Sequence, residues 1–196
     1  MNNIFPEFKH QVSQSEKETL LGQKGAVLWL LGYSGSGKST IANALERRLH
    51  DEGKYVIMLD GDNLRSGLNS NLGFSDEDRE ENIRRTSEFA KLIARSGVIV
   101  LVSLITPQEK FRLQVREIIP ADQYSEIYVK TSFEECMKRD VKGLYAKQAA
   151  GEIKNFTGKS SNFEEPQNSD LIIETENVTV ERCLDQLYEF YQINHN

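Results

Sequence analysis

Gly32, Gly37, Lys38 and Ser39 stand at the fixed positions of G-x-x-x-x-G-K-[ST] within Gly32-Tyr33-Ser34-Gly35-Ser36-Gly37-Lys38-Ser39-Thr40. The spacing has a physical reason. Glycines let backbone N–H groups turn toward an anion without a side chain in the way, and a following helix adds its positive end at the same point. Lys38 brings a mobile cation to terminal phosphates, and Ser39 offers a hydroxyl to Mg²⁺. A plain Gly/Ser turn would read the same in isolation. Here, however, an apolar run, Ala26–Leu31, comes before the loop and a helical pattern from Thr40 to Leu45 follows it.

Asp60-Gly61-Asp62 closes a second apolar run, Tyr55 to Leu59. Either carboxylate could orient metal-bound water or accept a hydroxyl proton, although D-G-D also suits a simple turn. Arg65, Arg79, Arg84 and Arg85 offer guanidinium forks for an anionic substrate, or else form a solvated helix face. Phe74 and Phe156 sit in polar, Gly-containing stretches where a ring could stack on a base or simply pack. Residues 142–166 mix Lys142, Lys147, Lys154 and Lys159 with three glycines. That composition suits a basic lid that excludes water from phosphates, with a solvated loop as the plainer alternative.

The elements that must position these groups follow from periodicity. Residues 13–21 read as a short helix in an N-terminal arm (residues 1–25), with Leu20 and Leu21 capping the domain. Strands are expected at Ala26–Leu31, 55–59, 98–105, 126–130 and 171–175. Helices are expected from the P-loop to about Glu52, over 78–95, from Pro107 in a first turn, after Ser132 (with Glu135 completing a capping box), and from Val180 to Tyr191. Residues 63–76 read as loop. The apolar face of the 78–95 helix comprises Ile83, Phe89, Ala90 and Ile93. Residues 98–105 are apolar on both faces, as in a central parallel strand. Alternating strands and helices predict an α/β fold: a five-stranded parallel sheet with helices on both faces, in one domain over residues 26–196. Ligands in such sheets bind at the carboxyl ends of strands, so the P-loop, Asp60, Asp62 and residues 103–106 should meet in one crevice.

Bulk properties narrow the class. A net charge of −6 argues against nucleic acid as a partner. Cys136 and Cys183 form no framework and suit a reducing cytoplasm as small buried residues. The longest apolar run, 98–105, is too short for a bilayer, and no signal-peptide layout precedes it.

Several segments together resemble the adenylyl-sulfate kinases, a family of P-loop kinases. They are Gly35-Ser36-Gly37-Lys38-Ser39-Thr40; Leu59-Asp60-Gly61-Asp62-Asn63-Leu64-Arg65; Asn71-Leu72-Gly73-Phe74-Ser75; Asp78-Arg79 with Glu81-Asn82-Ile83-Arg84-Arg85; Lys142-Gly143-Leu144-Tyr145; and Gly151-Glu152-Ile153-Lys154-Asn155-Phe156-Thr157-Gly158. The resemblance spans about residues 25–175. It implies ATP-dependent phosphorylation of the 3′-hydroxyl of adenylyl sulfate, with Gly32 to Thr40 holding ATP and Ser39 holding Mg²⁺. Asp62, Asn63, Leu64, Arg65, Phe74, Arg79, Glu80, Glu81, Asn82, Ile105, Thr106, Lys142, Asn155 and Phe156 would hold the acceptor. Lys38, Asp60 and Asp62 would be catalytic. It also implies a homodimer and a separate ATP sulfurylase upstream, since no sulfurylase domain is fused here.

The chain departs from the family at Leu104-Ile105-Thr106-Pro107, where Phe-Ile-Ser-Pro is usual, and at Gln108-Glu109, where an aromatic and an arginine are usual. The family serine, described as a phosphorylated intermediate, is Thr106 here. In-line transfer needs only positioning and charge stabilisation, so Thr106 is expected to line the pocket without carrying phosphate. Two rival functions stand beside this one: a kinase for a related nucleotide conjugate, prompted by these departures, and a nucleotide-binding protein without turnover.

Overall fold

A computed structural model describes residues 11–141, 143–149 and 163–196. Lys142, Asn155, Phe156 and most of the expected lid lie outside the described residues.

A parallel sheet in the order β2-β3-β1-β4-β5 forms the middle of the molecule. Its strands are β1 (Ala26–Leu31), β2 (Val56–Asp60), β3 (Ile99–Ser103), β4 (Tyr124–Lys130) and β5 (Leu171–Glu174). Every residue of β1 and β3 is buried, as the unbroken apolar runs require of strands covered on both faces. Strand alternation sorts them into two cores. Val27, Trp29, Leu31, Val100 and Val102 pack against α4 (Asp76–Ala94) and α5 (Glu109–Ile118). Ala26, Leu28, Leu30, Ile99 and Leu101 pack against α2 (Lys38–Asp51) and α8 (Val180–His195). A fully buried leucine such as Leu45 of α2 contributes about 2 kcal/mol by area. Both cysteines are free and buried, Cys183 in the α2–α8 core. Among the described residues no helix is long and apolar enough to cross a membrane.

Local chemistry moves several expected boundaries. The 63–76 stretch is not all loop: α3 (Gly61–Ser66) begins it, because the Asp60 side chain accepts the Asp62 N–H and caps the helix. Ser75 Oγ likewise accepts the Asp78 N–H, so α4 starts at Asp76. Pro107 lies outside α5, whose N-cap is Gln108. Strand β4 reaches back to Tyr124. Phe89 is 40% exposed and sits off the apolar face assigned to it, whereas Ile83 and Ala90 are buried.

The reciprocal capping box belongs to α1 (Gln14–Leu21), between Ser13 and Glu16. In α6 (Phe133–Arg139), Ser132 caps as expected, but Glu135 turns to Lys138 and Arg139 instead. Leu20 is 85% exposed and caps nothing. The arm is tied down by Gln23, whose side chain exchanges hydrogen bonds with the Tyr55 backbone and donates to Gly97 O.

In the sheet register Leu30 lies beside Ser103 and Ser103 beside Asp60. The carboxyl ends of β1, β3 and β2 are therefore level. That alignment sets the geometry of the site.

Candidate active site

One crevice of about 640 Å³ opens over these strand ends. Its floor is the P-loop. Gly32 has φ 141°, and a Cβ there would meet Val129 O at 2.4 Å, so only glycine fits. Gly37, at φ 105°, is the N-cap of α2. The loop is held from below: Ser36 O accepts from Thr131 Oγ1 at 3.2 Å and Thr175 Oγ1 at 2.9 Å. Lys38 Nζ donates to Gly32 O at 2.9 Å and Tyr33 O at 2.6 Å, which folds its side chain over the loop.

Ser39 Oγ donates to Asp60 Oδ2 at 2.7 Å and lies 3.0 Å from Ser103 Oγ. Asp60 Oδ1 accepts the Asp62 N–H, so both its oxygens are engaged. Asp62 stands in the first turn of α3 and lines the crevice. Oxygen donors of this kind suit a hard cation such as Mg²⁺. Among the described residues no group of three or more His, Cys, Asp or Glu side chains could hold a metal unaided. An ion resting on Ser39 and Asp60 would therefore complete its shell with nucleotide oxygens and water.

At the far end Arg65 and Arg79 come together. Arg65 donates to Leu72 O and Gly73 O, and its guanidinium lies 4.5 Å from the Phe74 ring centroid. Arg79, 8% exposed, donates through Nε to Phe74 O. Burial lowers the pKa of both groups, and the charge of Arg65 adds to the lowering at Arg79. Asp62 and Asp78 near Arg65, and Asp76 near Arg79, offset part of that charge, and the two guanidinium forks on one wall are of a kind that suits an anionic group. Asn82, with Oδ1 accepting from Asn69 Nδ2, lines the same wall with Ile105 and Thr106.

Other candidates are placed differently. Leu64 is in the core, and Tyr33 turns its ring to Phe133 and Phe163. Asn63 and Glu80 are exposed and do not line the crevice. Glu81 binds Arg84 and Arg85, which hold its carboxyl down at about 2. Those two arginines are thus paired along α4 and are not crevice cations. Gln108 and Glu109, the departures after Pro107, also stay out of the crevice: Glu109 pairs with Arg112 and Arg116.

A second lobe went unread in the sequence. Arg139, Asp140, Thr175, Val178, Val180 and Cys183 line the crevice on the side of α6 and β5. Arg139 donates to Thr175 Oγ1 at 3.1 Å and Thr175 O at 2.9 Å, closing that lobe beside Gly35. Thr175 follows the end of β5, and the strand-end rule that selected Asp60 would have selected it too. Nothing in the sequence pattern marked Arg139. Tyr145 of α7 (Leu144–Ala149) donates its hydroxyl to Ser34 O at 2.8 Å, joining the start of the expected lid to the loop.

A P-loop at the end of a central parallel strand, with a strand-end aspartate on its serine, marks a P-loop kinase. Sequence comparison gives the family. The model of the adenylylsulphate kinases matches residues 24–174, and the chain belongs to that family. It is 52% identical over 187 residues to the adenylyl-sulfate kinase of Phocaeicola vulgatus, covering 95% of this chain and 92% of that one. It is 50% identical over 188 residues to the adenylyl-sulfate kinase of Bacteroides thetaiotaomicron, covering 96% and 94%. Among solved structures it is similar to the Mycobacterium tuberculosis APS kinase CysC in complex with AMPPNP and APS. The TM-score is 0.82 at 40% identity, with 87% of this chain and 99% of that one covered.

Proposed function

We propose that the crevice binds ATP along the P-loop and adenylyl sulfate (APS) against Arg65 and Arg79, and transfers the γ-phosphoryl group to the acceptor's 3′-hydroxyl. The products are 3′-phosphoadenylyl sulfate and ADP. One observation carries the reading: a single crevice is lined by Lys38 and Ser39 of the P-loop and by the guanidinium groups of Arg65 and Arg79.

The residue roles follow from where each side chain is held. The amides of the loop and Lys38 neutralise charge on the transferring group, which spreads over its non-bridging oxygens in the transition state. Mg²⁺, held by Ser39 and positioned by Asp60, would supply further neutralisation of the phosphates. Asp60 is held by Ser39 and the Asp62 N–H, and Asp62, in the first turn of α3 on the crevice wall, accepts the 3′-hydroxyl proton. As the bond from phosphorus to the β,γ-bridging oxygen breaks, the new P–O3′ bond forms and the proton passes to the Asp62 carboxylate. Arg65 and Arg79 hold the phosphate and sulfate of the acceptor, with the Phe74 ring beside its base. The lobe at Arg139, Thr175, Val178 and Cys183 takes the adenine of ATP.

On the same reading the enzyme works in the cytoplasm as a homodimer, fed by a separate ATP sulfurylase. Its two buried free thiols suit a reducing compartment. ADP release, followed in a coupled assay with and without adenylyl sulfate, tests the proposal. Turnover that depends on adenylyl sulfate and exceeds that with other nucleotide 5′-conjugates is expected. Release indifferent to the acceptor would overturn it.

A further inference from the structure

The turn after β3 is fastened at four points. Gly32 N donates to Ile105 O at 3.3 Å, so the first glycine of the P-loop holds the turn by its backbone. Arg112, 1% exposed, donates through Nη1 to Thr106 O at 3.3 Å, and its Nε is fixed on Glu109 at 2.7 Å. Glu164 N donates to Pro107 O at 2.8 Å. Finally, Trp29 of β1 donates its indole N–H to Thr106 Oγ1 at 2.8 Å, with Trp29 fully buried. Thr106 itself has φ 43°, a left-handed conformation that a β-branched residue adopts only when its surroundings impose it.

The indole bond fixes the polarity of the hydroxyl. An indole N–H can only donate, so Thr106 Oγ1 must accept from it. The hydroxyl's one proton is then left to be donated elsewhere, and Thr106 lines the crevice. Accepting a hydrogen bond also draws charge from the oxygen, which strengthens it as a donor and weakens it as a nucleophile. Trp29 donates to the hydroxyl and Arg112 to the backbone carbonyl of the same residue, and neither group is a base.

We infer that Trp29 is a positioning residue for the acceptor: its buried indole N–H makes the Thr106 hydroxyl a one-way hydrogen-bond donor to bound adenylyl sulfate. The inference rests on the acceptor assignment proposed above. It names Trp29, which touches no substrate, as the group that decides what Thr106 does. Held in this polarity, Thr106 does not accept the γ-phosphoryl group.

A double-mutant cycle tests it, with KM for adenylyl sulfate, KM for ATP and kcat measured separately. Thr106→Val keeps the β-branch and removes the donor; it should raise KM for adenylyl sulfate roughly 3- to 10-fold, the usual loss for one neutral hydrogen bond. KM for ATP should be unchanged. Trp29→Phe should have a similar effect, and Thr106→Ser should behave as wild type. Trp29→Phe also removes core volume, so the deciding result is the double variant. Trp29→Phe with Thr106→Val should be no worse than Thr106→Val alone in kcat/KM for adenylyl sulfate. Additive losses, or equal rises in both KM values, would reduce Trp29 to core packing and overturn the inference. Wild-type turnover indifferent to adenylyl sulfate would instead overturn the acceptor assignment. Stable phosphate on Thr106 after incubation of the wild type with γ-labelled ATP would overturn the donor role directly.

Discussion

Ser39 Oγ and Asp60 Oδ2 lie 2.7 Å apart, although 21 residues separate them in the chain. The parallel register brings them together by levelling the ends of β1, β3 and β2. Asp60 contacts the P-loop serine whereas Asp62 stands in the first turn of α3, so the roles proposed for the two aspartates can be told apart by experiment. Asp62→Asn should lower kcat by about 10²- to 10⁴-fold, the usual contribution of a general base, with KM for ATP little changed. Asp60→Asn should instead shift the Mg²⁺ concentration needed for half-maximal rate upward. Steady-state kinetics across a Mg²⁺ titration separates the two, and the opposite pattern would exchange their roles.

Lys38 bonds to its own loop through Gly32 O and Tyr33 O, which holds its charge over the loop proposed to bind phosphate. Lys38→Ala should lose turnover by at least about 10³-fold, in line with losses on removing a preorganised group from transition-state charge. The fold should survive, as judged by circular dichroism and thermal melting. Activity near wild type would remove Lys38 from phosphate binding.

Arg79 is buried and fixed by Phe74 O, and it lines the part of the crevice proposed to take the acceptor. Arg79→Ala should raise KM for adenylyl sulfate about 10- to 100-fold, as expected for a lost charge-assisted bond, and KM for ATP by much less. Arg84→Ala, which breaks only an exposed pair with Glu81, should change neither by more than about twofold. Equal effects of Arg79→Ala on both substrates would count against its assignment.

His195 gives a pH dependence far from the site. Burial lowers its pKa from 6.5, outweighing the opposing charge of Asp170, and Lys24 lowers it further. Its Nε2 lies 2.8 Å from Ser125 Oγ. A histidine whose folded pKa is depressed is stabilising above its unfolded value, and that stability is lost as pH falls through the folded one. The melting temperature should therefore drop as pH falls from 6.5 toward the lower folded value, and His195→Gln should flatten that step. Glu81, held down at about 2, titrates in a separate and more acidic window. A melting temperature unchanged across the histidine window would refute the assignment.

The sheet was legible because its chemistry is written locally. Ala26–Leu31 and the 98–105 run are apolar without alternation, and only a strand covered on both faces has that pattern. The crevice followed from topology, since strand ends in parallel order bring Asp60 to Ser39 whatever the family. Long-range side-chain choices were not legible. Arg84 and Arg79 look alike in sequence, five residues apart on one helix, but Glu81 is in reach of the first and Phe74 O of the second. Leu20 and Phe89 carry apolar signals, yet they are 85% and 40% exposed. Arg139 takes its place only once β5 lies beside the loop.

The strand order has an evolutionary consequence. Arg65, Phe74 and Arg79 hang from the β2 flank of the sheet, whereas Arg139, Thr175 and Cys183 hang from the β4–β5 flank, with β1 between them. On the proposed assignment the first flank takes the acceptor and the second the adenine of ATP, so such a scaffold can drift toward a different acceptor with its ATP lobe retained. The two sides are tied together near β1, among other places where Gly32 N meets Ile105 O and where Ser39 Oγ meets Asp60 Oδ2. There the two halves share hydrogen bonds, and a lineage that alters one must accommodate the other.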